Sequence, residues 1–261
     1  MKNFSTKRIL WTATALLALT AATVGVLRPE IYKPVMRADL LPGTIAQDWL
    51  TIFVAAGLLG LIATTKKGET KKQIIILGVL GSFGYLYAIY AIERIYNILY
   101  LAYLAILSLC LYGIPYSISG LKDKEKWEIP RGMKIISIIF SVLIAVIFII
   151  IWVGSLLPAM RTGQKIELYY SIYILDLCWI MPGFLITAYL TWKNKNAGIL
   201  LTPAMYILGI FVIFPLGLGE ITKQLDGLTN DIKSMMMSFI LSGLFMVMAA
   251  AQLSLLRKKK I

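Results

Sequence analysis

The chain has 261 residues, a formal charge of +13, 59% hydrophobic and only 15% charged residues, and a mean hydropathy of +0.80, whereas soluble chains carry about 25% charged residues. Its apolar residues fall in uncharged blocks of roughly 20, the length that crosses a bilayer as a helix, which excludes a separate aqueous domain. No histidine occurs, and both cysteines, Cys110 and Cys178, lie inside apolar blocks; imidazole catalysis, histidine-bound haem and the usual zinc and copper sites are thereby removed, and no cofactor is expected.

Counting between charged residues predicts eight crossings. The first, 9–27, follows Lys2, Lys7 and Arg8; its nineteen uncharged residues exceed the usual 7–15-residue core of a secretory signal, so an uncleaved helix is expected. The connection from Arg28 to Ala46 holds Pro29, Pro34, Pro42 and Gly43 and is expected at the membrane surface. The second span, 49–65, is preceded by Gln47-Asp48, where a carboxylate at a helix start complements the positive end of the dipole. Gly57 and Gly60 within it, and Gly78, Gly81, Ser82 and Gly84 in the third span, 73–92, predict close helix packing. Tyr85, Tyr87 and Tyr90 follow, then Glu93-Arg94 at a tight turn, then the fourth span, 95–121, with Tyr96, Asn97, Tyr100 and Tyr103. The fifth span, 135–160, is uncharged; the sixth, 168–192, is broken only by Asp176, with Pro182 predicting a kink under two turns later. The seventh, 196–219, carries Pro203 and Pro215, and the eighth is 234–256. Continuous apolar runs exclude barrel strands, which alternate over about ten residues. The expected fold class is all-α, a polytopic integral membrane bundle of eight transmembrane helices. Trp11, Trp127 and Trp192 fall near predicted ends on one side and Trp49 on the other, the depth of an aromatic belt.

Placing alternate connections on alternate sides puts 18 of the 26 Lys and Arg on the side of both termini, and 9 of the 13 acids on the other if Asp176 is counted there. By the positive-inside rule both termini are expected in the cytoplasm, with the chain a multi-pass protein of the plasma membrane. The basic charge is dispersed over five short connections without a nucleic-acid-binding motif, so the expected partner is the anionic headgroups of the bilayer and no nucleic acid. No phosphate-binding loop occurs, which argues against a nucleotide-driven engine.

The whole chain, 1–261, forms one membrane domain. An internal repeat with halves 1–127 and 128–261 is an open alternative, because Asp48 and Asp176 lie 128 residues apart and Glu93 and Glu220 lie 127 apart. Four helices return a chain to its starting side, so such halves would share one orientation about an axis along the membrane normal.

An ionisable residue at bilayer depth costs about 2.5–3.5 kcal/mol at a helix centre, which makes Asp176 a functional candidate. Tyr169, Tyr173 and Asp176 share one helical face, as do Tyr87, Tyr90 and Arg94. The alternative for Asp176 is a carboxylate bonded by tyrosines or an arginine that only fixes helix packing; for Asp48 it is a helix cap. Gln47-Asp48, the tyrosine-rich third span leading to Tyr96-Asn97, and Leu175-Asp176-Leu177 followed by Pro182 resemble a largely uncharacterised group of prokaryotic multi-spanning membrane proteins, and the resemblance implies no particular reaction. The expected function is binding or translocation of a small polar or cationic solute in an outward-facing cavity lined by Asp48, Tyr87, Tyr90, Tyr173 and Asp176, with Arg94 turned toward the acids. Two alternatives stand beside it: an intramembrane enzyme acting on a lipid or isoprenoid, and an accessory subunit of a membrane complex.

Overall fold

A computed structural model describes residues 4–119, 126–166 and 170–259; Tyr169 lies outside them. Eight helices are long and apolar enough to cross a membrane. They are α1 (Phe4–Leu27), α2 (Leu41–Thr64), α3 (Thr70–Ile92), α4 (Tyr100–Ser119), α5 (Arg131–Thr162), α6 (Tyr170–Trp192), α7 (Asn196–Leu225) and α8 (Ile232–Leu255). Hydrocarbon offers the backbone no hydrogen bonds, so each apolar run satisfies its own amides by winding into a helix. Hydroxyls within the runs follow suit: Thr14, Thr23 and Thr51 each donate to the carbonyl four residues earlier.

The helix ends depart from the sequence expectation where turn residues were read as loop. Helix α2 begins at Leu41, eight residues before the predicted span, because Pro42 occupies its first turn, where a missing amide proton is no loss. Asp48 is therefore not a helix cap; it lies about two turns inside α2. Helix α4 starts at Tyr100 rather than at residue 95, and Tyr96 is an exposed turn residue.

Connections alternate between two ends of the bundle. At the end holding both termini, Trp127–Glu128 (β1) pairs antiparallel with Arg257–Lys258 (β2). There too the Trp127 amide donates to Asn196 Oδ1 at 3.0 Å and Lys134 Nζ to Asn194 Oδ1 at 2.7 Å. Lys7 donates to the carbonyl of Ser117 beside them at the end of α4. At the opposite end Gly43 of α2 meets Gly219 of α7, and Tyr170 at the start of α6 donates to the carbonyl of Ile92 at the end of α3.

Helices α3 and α7 are the most enclosed pair and pack on each other. Their seam is made by missing side chains: a Cβ at Gly78 would lie 2.6 Å from Ile207 Cβ, and one at Gly81 would lie 2.8 Å from Leu208 Cδ1. Gly57 and Gly60 form no such seam, since nothing approaches either within 4 Å. Trp11 is not a belt residue: it is buried, with its indole N–H on Ser117 Oγ at 2.9 Å, so it fastens α1 to α4.

Candidate functional site

Proline 182 has no amide proton to give the carbonyl four residues before it. The turn ahead of it widens accordingly: residues Asp176–Ile180 of α6 form a π-helical turn, with the Met181 amide bonded five residues back to the carbonyl of Asp176. Such turns recur at functional sites, because they re-aim side chains that regular helix would hold in register. Here the turn presents Asp176 to α3 and α5. Tyr85 of α3 donates its hydroxyl to Asp176 Oδ1 at 2.9 Å, and Trp152 of α5 donates its indole N–H to Oδ2 at 2.7 Å. Tyr173 sets its ring edge-on against Trp152 at 5.3 Å and supports the indole from behind.

The Asp176 side chain is 6% exposed, yet it is not sealed within solid packing. It stands in the wall of a cavity of about 170 Å³. Gln47, Ser82, Tyr85 and Trp152 provide the cavity's other polar atoms, while Phe148, Phe184, Phe211 and Phe245 are among its apolar walls. Near the terminal end α5 and α8 meet through Ser137 and Gln252 and through Phe140 and Phe245. Farther along, the cavity lies between α5 and α7, with Leu216 on its rim 54% exposed. An ionised carboxylate offers about four lone-pair positions. Both bonds to Asp176 come from neutral donors, and none of the ion pairs among the described residues reaches it.

Asp48 belongs to a different place. It is 2% exposed and accepts the Tyr32 hydroxyl on Oδ2 at 2.7 Å. Both groups press on the bare backbone of α1 at Gly25, where a Cβ would lie 2.1 Å from Asp48 Oδ2 and 2.5 Å from the Tyr32 oxygen. Burial pushes the Tyr32 phenol far above its ordinary value, and the neighbouring Tyr90, Asp48 and Tyr103 oppose its ionisation further, so it is a neutral donor. Tyr87, Tyr90 and Tyr103 form a ring cluster with centroids 5.0–5.9 Å apart. Within it Tyr87 donates to the carbonyl of Ala18, Tyr103 accepts from Asn97, and the Tyr90 hydroxyl is buried without a hydrogen-bond partner.

The predicted single cavity is therefore two sites on opposite faces of α3. Residues two apart on a helix point about 200° apart, so Tyr85 faces Asp176 while Tyr87 and Tyr90 face the Asp48 side. Arg94 joins neither site: α3 ends at Ile92, and Arg94 sits exposed in the following turn with φ 57°. Tyr85, Trp152, Tyr32 and Gly25 were not identified from the sequence as site residues. Trp152 carried a readable signal, since an indole N–H deep in an apolar span needs an acceptor and Asp176 is the one acid in the next span. Among the described residues no group of three or more His, Cys, Asp or Glu is placed to hold a metal ion. Comparison with protein-family models, curated proteins and solved structures finds no significant match, so the chemistry of the site rests on its own geometry.

Proposed function

We propose that this protein binds, and passes across the membrane, a small amphiphile that carries a cationic or hydrogen-bond-donating head on an apolar body. One observation carries the reading: the carboxylate of Asp176, bonded only by neutral donors, stands in the wall of an otherwise largely apolar cavity. A cationic head would meet the lone pairs that Tyr85 and Trp152 leave open, and its apolar body would meet phenylalanine rings. The volume suits a single ring, since an apolar protein cavity of about 150 Å³ holds benzene. Intramembrane acid–base chemistry on a lipid is less favoured, because Asp48 and Asp176 lie on opposite faces of α3 and supply no acid pair. We place the termini and the basic connections in the cytoplasm of a plasma-membrane protein, next to anionic headgroups, which puts the Asp176 cavity in the outer half of the bilayer.

Phenethylammonium is a suitable probe. Titrated into purified protein, it is expected to bind saturably and to change the emission of Trp152. Asp176→Asn keeps the size and both bonding partners of the carboxylate but not its charge; it is expected to weaken binding at least about tenfold, or roughly 1.4 kcal/mol, with the melting temperature nearly unchanged. Flux of the probe into liposomes containing the protein tests translocation. Equal binding by the wild type and Asp176→Asn, or none by the wild type, overturns the reading.

A further inference from the structure

We infer that the chain is a tandem duplication of a four-helix unit, and that the Asp48 site is a second copy of the Asp176 site, stoppered from within by Tyr32. Three contacts carry this, each at the spacing that separates the two acids. The first is within each half: Gly25 of α1 lies against Asp48 of α2, and Trp152 of α5 bonds Asp176 of α6. Gly25 and Trp152 are 127 residues apart, and Asp48 and Asp176 are 128 apart. The second contact runs between halves and is reciprocal. Gly43 of α2 meets Gly219 of α7, while Ser171 and its neighbour Tyr170 on α6 bond Glu93 and the carbonyl of Ile92 at the end of α3. Ser171 is 128 residues beyond Gly43, and Gly219 is 127 beyond Ile92. The third lies where Gly81 meets Leu208, again 127 residues on.

A residue touching its own counterpart is what a two-fold axis requires. The helix neighbours exchange in the same way: α1 with α2 matches α5 with α6, α3 with α4 matches α7 with α8, and α2 against α7 matches α6 against α3. The axis runs along the bundle between α3 and α7, as it must when each unit has an even number of spans.

The two copies differ in what fills the space beside the carboxylate. In the second, the α5 position carries the Trp152 indole and a cavity stays open. In the first, the matching position is Gly25, and the room goes to Tyr32, which reaches in from the connection before α2 and donates to Asp48 Oδ2 at 2.7 Å. Tyr32 thus occupies the first site as a tethered ligand: a flat apolar ring bearing one donor. Its chemistry deepens the proposed function and, where it concerns Asp176, rests on that reading. The ligand class it points to for both copies is an aryl or similarly compact apolar group carrying a hydroxyl or ammonium.

Replacing Tyr32 by Gly removes the stopper, and p-cresol, the freed side chain in soluble form, serves as the probe. Tyr32→Gly is expected to bind one equivalent of p-cresol more than the wild type, with recovery of melting temperature. The added equivalent should vanish in Tyr32→Gly/Asp48→Leu. Phenethylammonium stoichiometry should rise from one to two in Tyr32→Gly. No added p-cresol in a folded Tyr32→Gly protein overturns the second site. Cysteine pairs in a background lacking Cys110 and Cys178 test the duplication without touching Tyr32. Gly43→Cys with Gly219→Cys, and Ile92→Cys with Ser171→Cys, should both cross-link in membranes; cross-linking of only one pair, or of neither, rejects the two-fold relation. A wild type that ignores phenethylammonium would end the proposed function alone, because the p-cresol and cross-linking results stand apart from it.

Discussion

Adding one methyl group at Gly25 should break the Asp48 site. The Cβ of alanine would sit 2.1 Å from Asp48 Oδ2, 3.0 Å from its Cγ and 2.5 Å from the Tyr32 oxygen. Neither group has a flexible end that can yield cheaply, because the carboxylate is on the second turn of a packed helix and the phenol is buried. The carboxylate must swing away, which loses its 2.7 Å bond to Tyr32. Overpacking costs about 1–3 kcal/mol, and loss of a hydrogen bond to a charged group about 1.5–3 kcal/mol. Alanine returns about 1 kcal/mol through its better helix propensity, leaving a net loss of about 2–5 kcal/mol. The assay is thermal unfolding in detergent, followed by size-exclusion of heated samples. In an Asp48→Ala background the obstacle is gone, so Gly25→Ala should there be neutral or slightly stabilising, and the double-mutant cycle isolates the contact. A Gly25→Ala protein that melts with the wild type, or that is equally destabilised with and without Asp48, would refute the reasoning.

Ser117→Ala should cost about 1–3 kcal/mol in the same assay, because it leaves the buried indole N–H of Trp11 without its acceptor; an unchanged melting temperature would show that α1 is held to α4 by other means. Gly78→Ala, whose Cβ would lie 2.8 Å from the Ala204 carbonyl, should cost about 1–3 kcal/mol, whereas Gly57→Ala, with nothing within 4 Å, should be neutral or gain up to about 1 kcal/mol. Equal effects at the two glycines would deny that α3 and α7 form the central seam. Arg94→Gly should stabilise by about 1 kcal/mol, since φ 57° suits glycine, and leave phenethylammonium binding untouched; lost binding would return Arg94 to the site.

The duplication gives the two buried acids a common origin and different fates. Helix α3 serves both, Tyr85 toward one acid and Tyr87 with Tyr90 toward the other, which explains why its tyrosines are so dense and why no single stripe contains them all. A site stoppered by the chain's own phenol is held rigid, while the copy facing the cavity has room for a guest.

Apolar run length alone determined that eight helices form and alternate between two ends, because a backbone in hydrocarbon has no partner except itself. The spacing of Asp48 and Asp176 likewise carried the repeat interval, and the lone acid in the sixth span marked the residue that the cavity wall displays. Tertiary structure decided everything that depends on rotation about a helix axis. A difference of two residues sends Tyr85 and Tyr87 to opposite faces of α3, and Pro42 starting α2 instead of ending a loop moves Asp48 from a helix cap to a buried bond with Tyr32. Hydropathy has no term for azimuth: a uniformly apolar span looks the same from every side until its neighbours pack against it, and only then do glycine, tyrosine and tryptophan acquire the directions that build a site.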